Sequence, residues 1–414
     1  MWSLTQTILI LFISVRLGKS FPQILGRRAG GLNGQNVSVS DFEHLLKSRQ
    51  ILSNSLGSLV GIIPTTLDLA PVASIGRKRI PDEDHPFRAP GPDDIRGGCP
   101  GLNILANYGY ISRDGITTVS ELIYGMQEML GFGADLATVL AAVGLLTSVD
   151  LTTLKISIGK TDSRTDGPLS GLFGTAPGLF STEAHGKFEV DGSLAYVDAY
   201  FANGDTFQFD SNRWRKYRQL AVNHFEGVMT TKWVGAVRDL EYHECRDKNP
   251  RCNWNILNQL VFYLGQAFIP NLMTSADADG NPLPADVKSI ETFFGLIENP
   301  DGSFTHGHSR LPPGPDGHFY RRAVPATLAQ VLTTLTDTLL AYPVEFGSND
   351  GTLGHWNPSL TQIPNIVELN IICYLLQQTR DPKNSRYADN EPVSLALGKL
   401  LRNSLQPIFE QLSC

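Results

Sequence analysis

Charge is scarce in this sequence. Asp, Glu, Lys and Arg make up 18% of its 414 residues, below the roughly 25% of an average soluble domain. The 34 basic residues are outnumbered by 41 acidic ones, giving a formal charge of −7 and a pI of about 5.7. That balance gives no basis for a broad nucleic-acid-binding face or for attraction to acidic membranes. Long hydrophobic runs are also missing. The run Thr7–Val15 is short, whereas a membrane span needs about 20 residues. Internal repeats and low-complexity linkers are absent. Cysteine is sparse and odd in number, at five, so a secreted chain would keep one thiol to be explained. What is present is a 42% hydrophobic composition with 39 Gly and 25 Pro. Such a chain is ordered and has a large core and many irregular connections. Length alone suggests two or three domains, but without a linker to divide the chain one domain is expected.

Residues 1–20 read as a signal peptide, with Gly18 and Ser20 small and two apart at its end. The first residues lack Lys or Arg, which leaves an N-terminal anchor helix as the alternative. Residues 21–80 form an N-terminal segment, and Arg27-Arg28 would end a short pro-segment at 28. Asn36-Val37-Ser38 is a glycosylation sequon, whereas Asn357-Pro358-Ser359 is excluded by its proline. The expectation is a secreted, glycosylated protein without stable membrane association.

Apolar periodicity predicts helices over 42–56, 119–129, 134–146, 231–245, 254–273, 326–340, 365–378 and 393–412, and one within 207–222. The 134–146 stretch is nearly all apolar and must be buried. Residues 81–98, 163–182 and 298–325 read as irregular, and strand-like alternation is confined to 153–158 and 205–209. The class is mainly α, a single large helical domain with long loops and little β, covering 81–414.

Residues 96–115 read RGGCPGLNILANYGYISRDG. Cys99 stands at a loop-to-helix junction, where amides and a helix N-terminus lower a thiol's pKa. A thiolate in a dry cavity suits an axial haem-iron ligand, and a buried cysteine at a turn is the plainer alternative. The longer string Cys-Pro-Gly-Leu-Asn, Leu-Ala-Asn, Gly-Tyr and Arg-Asp-Gly resembles the signature of the fungal heme-thiolate peroxidases, which include chloroperoxidase and the aromatic peroxygenases. Gly98 replaces a usual proline and Tyr108 a usual histidine, and neither change removes the sulfur. The resemblance implies heme b with Cys99 on the iron, and a helical fold surrounding the cofactor.

Residues 185–198 read HGKFEVDGSLAYVD. Its closely spaced oxygen donors suit a hard divalent cation or a solvated acidic turn. The string resembles the same family's Glu-x-Asp-x-Ser motif. That likeness implies a magnesium ion held by Glu189, the Val190 carbonyl, Ser193 and a haem propionate. Tyr196 stands where the family often has arginine.

Peroxide activation needs a group that takes and returns a proton. In the family a glutamate does this, aided in long-type members by an arginine seven residues earlier. The aligned stretch places Gln266 and Gln259 at those positions, lining the distal face. No Arg precedes a Glu by seven between residues 238 and 273. Glutamine cannot shuttle a proton, so the resemblance leaves two functions open. One is peroxide-driven oxidation of an aromatic or polyketide-like small molecule, with water or another residue, such as His243 or Glu244, in place of the missing acid. The other is a haem-thiolate protein with non-peroxide chemistry or ligand binding alone. Cys373 and Cys414 resemble the C-terminal disulfide of long-type members. Cys245 and Cys252 flank Asn249-Pro250, where a bridge and two buried thiols both fit. Pairing both sets leaves Cys99 unpaired. His306, His308 and His318 lie in a Gly/Pro-rich stretch that reads as a polar lid or surface loop. Phe262, Phe268, Phe293 and Phe294 read as core packing, with cavity lining the alternative.

Overall fold

The computed structural model describes residues 57–67, 73–182, 191–205, 207–359 and 371–411. The predicted signal and pro-segment, Asn36, the 42–56 helix, Glu189, Val190 and Cys414 lie outside these residues. Helices dominate, and the β-structure is confined to ribbons of two or three short strands. The mainly α expectation holds.

Helix α1 (Pro100–Tyr108) begins on Cys99, with Pro100 in its first turn, and ends on Gly109. Proline's fixed φ and missing N–H suit a first helical position. Helix α2 (Val119–Leu130) carries a capping box between Thr118 and Glu121. Helix α3 (Ala134–Thr147) is buried along most of its length, as its composition predicts. It is packed between α2 and two C-terminal helices, α9 (Ile371–Arg380) and α10 (Glu391–Gln411). Helices α4 (Ser211–His224), α5 (Thr231–Lys248), α6 (Ile256–Leu272) and α8 (Leu328–Ala341) form a second layer, in which α8 packs on α5 and α6. Between them α7 (Val287–Phe294) leans on α1 and α4. One contiguous core joins Leu105, Ile123, Leu145, Trp214, Trp233, Trp254, Leu332 and Leu401.

Two irregular stretches differ from expectation. Within 298–325 the structure holds strands Phe304–His306, paired with Leu296–Glu298, and Phe319–Arg321, paired with Lys78–Ile80. Three-residue strands carry too few alternations to be read from sequence. Conversely, the expected alternation near 205–209 yields only an isolated Tyr196–Phe209 bridge. Lys155–Ser157 does form a strand, paired with Ile116–Thr118.

The Lys78–Ile80 strand also anchors a charged cluster. Arg321 donates to the Glu128 carbonyl at 2.7 Å and to the Gly76 carbonyl at 2.7 Å, while Lys78 and Ser74 bind the Glu128 carboxylate. Cys245 and Cys252 are bridged, which settles their pairing. Cys373 is disulfide-bonded, and its expected partner, Cys414, lies outside the described residues. Cys99 is free.

Candidate functional site

Cys99 opens onto a cavity of two lobes, with volumes of about 750 Å³ and 860 Å³ counting the space at their mouths. That range suits a cofactor or small molecule. Both lobes share Cys99, Leu140, Phe268 and Met273. The first is walled almost wholly by apolar side chains of α1, α2, α3 and α6, including Leu105, Met126 and Leu272. The second reaches Gly98, Phe180, Ser193, Tyr196, Phe262, Gln266 and Phe294. All four phenylalanines read from sequence as core packing therefore face the cavity. Periodicity marks an inward helix face but does not tell a filled interior from a hollow one.

The sulfur sits where the sequence predicts, at the N-terminus of α1, with the amides of Leu102 and Gly101 directed at it. The helix-start amides do not lower its pKa as expected. Burial pushes the Cys99 thiol up, and the Leu102 and Gly101 amides pull the other way without winning. A bound metal reverses that logic, because a coordinated thiol is deprotonated outright. An unpaired sulfur, two amides directed at it and a largely apolar cavity fit a thiolate-ligated haem. Gly98 has a local reason to be glycine. A Cβ there would stand 2.8 Å from the Phe180 ring, so the family's proline would collide with this cavity wall.

The carboxylate motif enters the described residues at Asp191. Gly192 has φ of 80°, and a Cβ on it would strike Trp254 at 2.4 Å, so glycine is required at the turn. Ser193 lines the second lobe, its Oγ accepting from the amides of Ala195 and Tyr196. Asp191, Asp198 and Cys245 lie close enough to suggest a metal cluster, but the sulfur is in the disulfide. Asn249 donates to both carboxylates at 3.2 Å, and Arg213 pairs with Asp198 at 2.9 Å. These partners explain the acids without a cation. Arg213 also donates to the Tyr196 carbonyl, so a guanidinium from α4 reaches the turn that lacks the family's local arginine.

Gln266 stands on the cavity wall and is 6% exposed. Its Nε2 donates to both carboxylate oxygens of Glu241, at 3.1 Å and 3.0 Å. Gln259 is fully buried and is not among the residues lining the cavity. Its Oε1 accepts from Arg238, and its Nε2 donates to the Asp191 carbonyl. Arg238 and Glu241 are themselves paired at 2.6 Å. Sequence reasoning missed this pair. The family pattern puts an arginine and a glutamate on α6, and here they stand three apart on α5, one helix away. The available signal was an Arg-x-x-Glu spacing on an otherwise apolar helix face. Trp254 and Tyr263 cover the Arg238 guanidinium, with centroids at 4.5 Å and 4.3 Å. Neither His243 nor Glu244 is among the residues lining the cavity. His243 is largely exposed beside Asp239, and Glu244 is held by Lys216 and Lys248. His306 stacks on Phe209, with a pKa pushed down by burial.

Burial raises the Glu241 carboxyl to about 7, against the pull of Arg238 and the Gln266 amide. An Arg238→Met variant should therefore cost about 3–5 kcal/mol at neutral pH, the usual result of stranding one partner of a buried pair. Urea denaturation of the two proteins at pH 8 checks it, and a loss below 1 kcal/mol would contradict the burial argument.

Residues 85–324 match the family model described as "Peroxidase, family 2". An aromatic peroxidase of Fusarium equiseti is 26% identical over 340 residues, covering 78% of this chain and 76% of that protein. A dothistromin biosynthesis peroxidase of Dothistroma septosporum is 29% identical over 288 residues, covering 65% and 63%. An aromatic peroxygenase of Cyclocybe aegerita is 29% identical over 252 residues, covering 59% and 66%. Among the described residues no helix is long and apolar enough to cross a membrane.

Proposed function

Because this chain belongs to peroxidase family 2, we propose that it is a heme-thiolate oxidoreductase that uses hydrogen peroxide to oxidise an aromatic or polyketide-like small molecule. The observation that carries the reading is the free Cys99 sulfur at a helix start, opening onto a large apolar cavity. The group it would hold supplies oxidising power once bound, and a thiolate ligand favours O–O cleavage. The chain's own residues bind the aromatic substrate, through Phe262, Phe268 and Phe294, and keep bulk water out. Glu241 supplies a carboxylate whose raised pKa suits proton exchange near neutrality. It stands behind Gln266, the wall residue to which it is bonded, and on this reading protons pass between it and the cavity by way of water rather than through the amide. Glu189, the Val190 carbonyl and Ser193 would hold magnesium, and Ser193's place on the cavity wall supports that reading. Secretion and glycosylation at Asn36 belong to the same proposal. The dothistromin relative's name supports a substrate from secondary metabolism.

A second reading is favoured by one observation. Gln266 stands between Glu241 and the second lobe, and an amide does not carry a proton at ordinary pH. On that reading the cofactor serves non-peroxide chemistry or ligand binding. Two measurements separate the readings. The reduced protein under carbon monoxide should show the red-shifted Soret band of a thiolate-bound haem, and its absence after haem loading would overturn both. Peroxide-driven turnover of an aromatic ether then supports the first. An inert native protein, with a Gln266→Glu variant that turns over, supports the second.

A further inference from the structure

We propose that the Gln266 side-chain carbonyl is a recognition group of the cavity, and that the ligand it selects is an aromatic molecule bearing a hydroxyl that donates to it. The inference rests on the reading of this cavity as the site of an aromatic substrate, and it narrows that substrate's chemistry.

The orientation of the amide follows from its partners. An ionised carboxylate offers only acceptors. The Gln266 nitrogen faces Glu241, as its two hydrogen bonds show, and Arg238 beside that carboxyl favours the ionised form that accepts them. Reversing the amide would set carbonyl against carboxylate. Glu241 is in turn fixed by Arg238, which also donates to the Gly192 carbonyl at 2.9 Å. The remaining end of the amide, Oε1, is buried and accepts no hydrogen bond among the described residues. It belongs to a side chain on a wall formed largely by Val261, Phe262, Phe268, Ile269 and Phe294. Of the other polar groups there, Ser193 Oγ already accepts from two amides. The Tyr196 hydroxyl stays neutral, its pKa pushed up by burial.

A buried acceptor without a donor is costly. A ligand hydroxyl placed against Oε1 removes that cost. A ligand of the same outline without a donor leaves it in place. The cavity should therefore separate molecules that differ by one O–H, which apolar walls alone separate poorly.

The probes are 2-naphthol and 2-methoxynaphthalene, which share one ring system and differ in the capped donor. Isothermal titration of the haem-loaded protein without peroxide should show 2-naphthol binding about tenfold or more tightly. In a Gln266→Leu variant the two should fall within about threefold, chiefly through weaker naphthol binding. Equal binding to the native protein overturns the proposal, as does a preference that survives Gln266→Leu. Glu241→Gln, which lets the amide present either face, should also shrink the preference. If that variant keeps it in full, the locked orientation is wrong. The native comparison needs no variant, so poor folding of either one does not shield the idea. Failure to bind haem would instead defeat the proposed function, and the same titration on haem-free protein would still read Gln266.

Discussion

A Cys99→Ala variant is expected to lose the thiolate haem band completely, and its peroxide turnover is expected to fall to background. No other described cysteine can stand in, because Cys245 and Cys252 are bridged and Cys373 is disulfide-bonded. The fold should survive. Pro100 sets the start of α1 through its fixed φ, and the sulfur faced by the Gly101 and Leu102 amides is only a weak acceptor, so its loss costs the helix little. The far-ultraviolet circular dichroism and the thermal midpoint should therefore stay near those of the native protein. Loss of the band together with loss of structure would show that the sulfur holds the fold rather than a cofactor. Retention of the band would place the iron ligand elsewhere.

The second large effect concerns Glu241. Replacing it with glutamine keeps the shape and removes the carboxylate that bonds to Gln266. If Glu241 holds the exchangeable proton, turnover should drop about 10²- to 10⁴-fold, the usual loss for a positioned acid–base group. Native turnover should rise with pH through about 7, where the carboxyl ionises, and the variant should lack that rise. Unchanged turnover would remove Glu241 from the chemistry. The same group makes a stability statement of known sign. Its folded pKa lies above the ordinary 4.5, so the folded state binds more protons between those two values. Native stability therefore falls as pH rises through that window and levels above it. Glu241→Gln should flatten the slope, read by urea denaturation at pH 5 and pH 8.

Sequence and structure part company at particular residues. Helices α2, α3 and α5 were legible because their apolar residues repeat at helical spacing over three or more turns. The α1 start was legible because Pro100 follows Cys99. The Phe319–Arg321 strand was not, since its partner, Lys78–Ile80, lies some 240 residues earlier and neither is long enough to show a period. The site shows the same division. Cys99 was readable from its neighbours in the chain. The Arg238–Glu241 pair was hidden because a local motif presumes one helix, while a cavity wall gathers side chains from several. Gln266 and Gln259 read in sequence as losses. In space they are contacts that hold a charged pair at one remove from the cavity.

The Lys78–Ile80 strand bears on how this protein could be recombined with others. Composition invites a cut at residue 81, where the Pro- and Asp-rich stretch begins. A cut there would separate Phe319–Arg321 from its pairing strand and leave Glu128 and Arg321 without Ser74, Gly76 and Lys78. Glu128 lies on α2, which lines the first lobe through Leu122, Met126 and Leu130. The stretch before the apparent domain is thus inherited with the cavity as one unit, and a chimera joined at 81 would exchange part of the wall's support along with its tail.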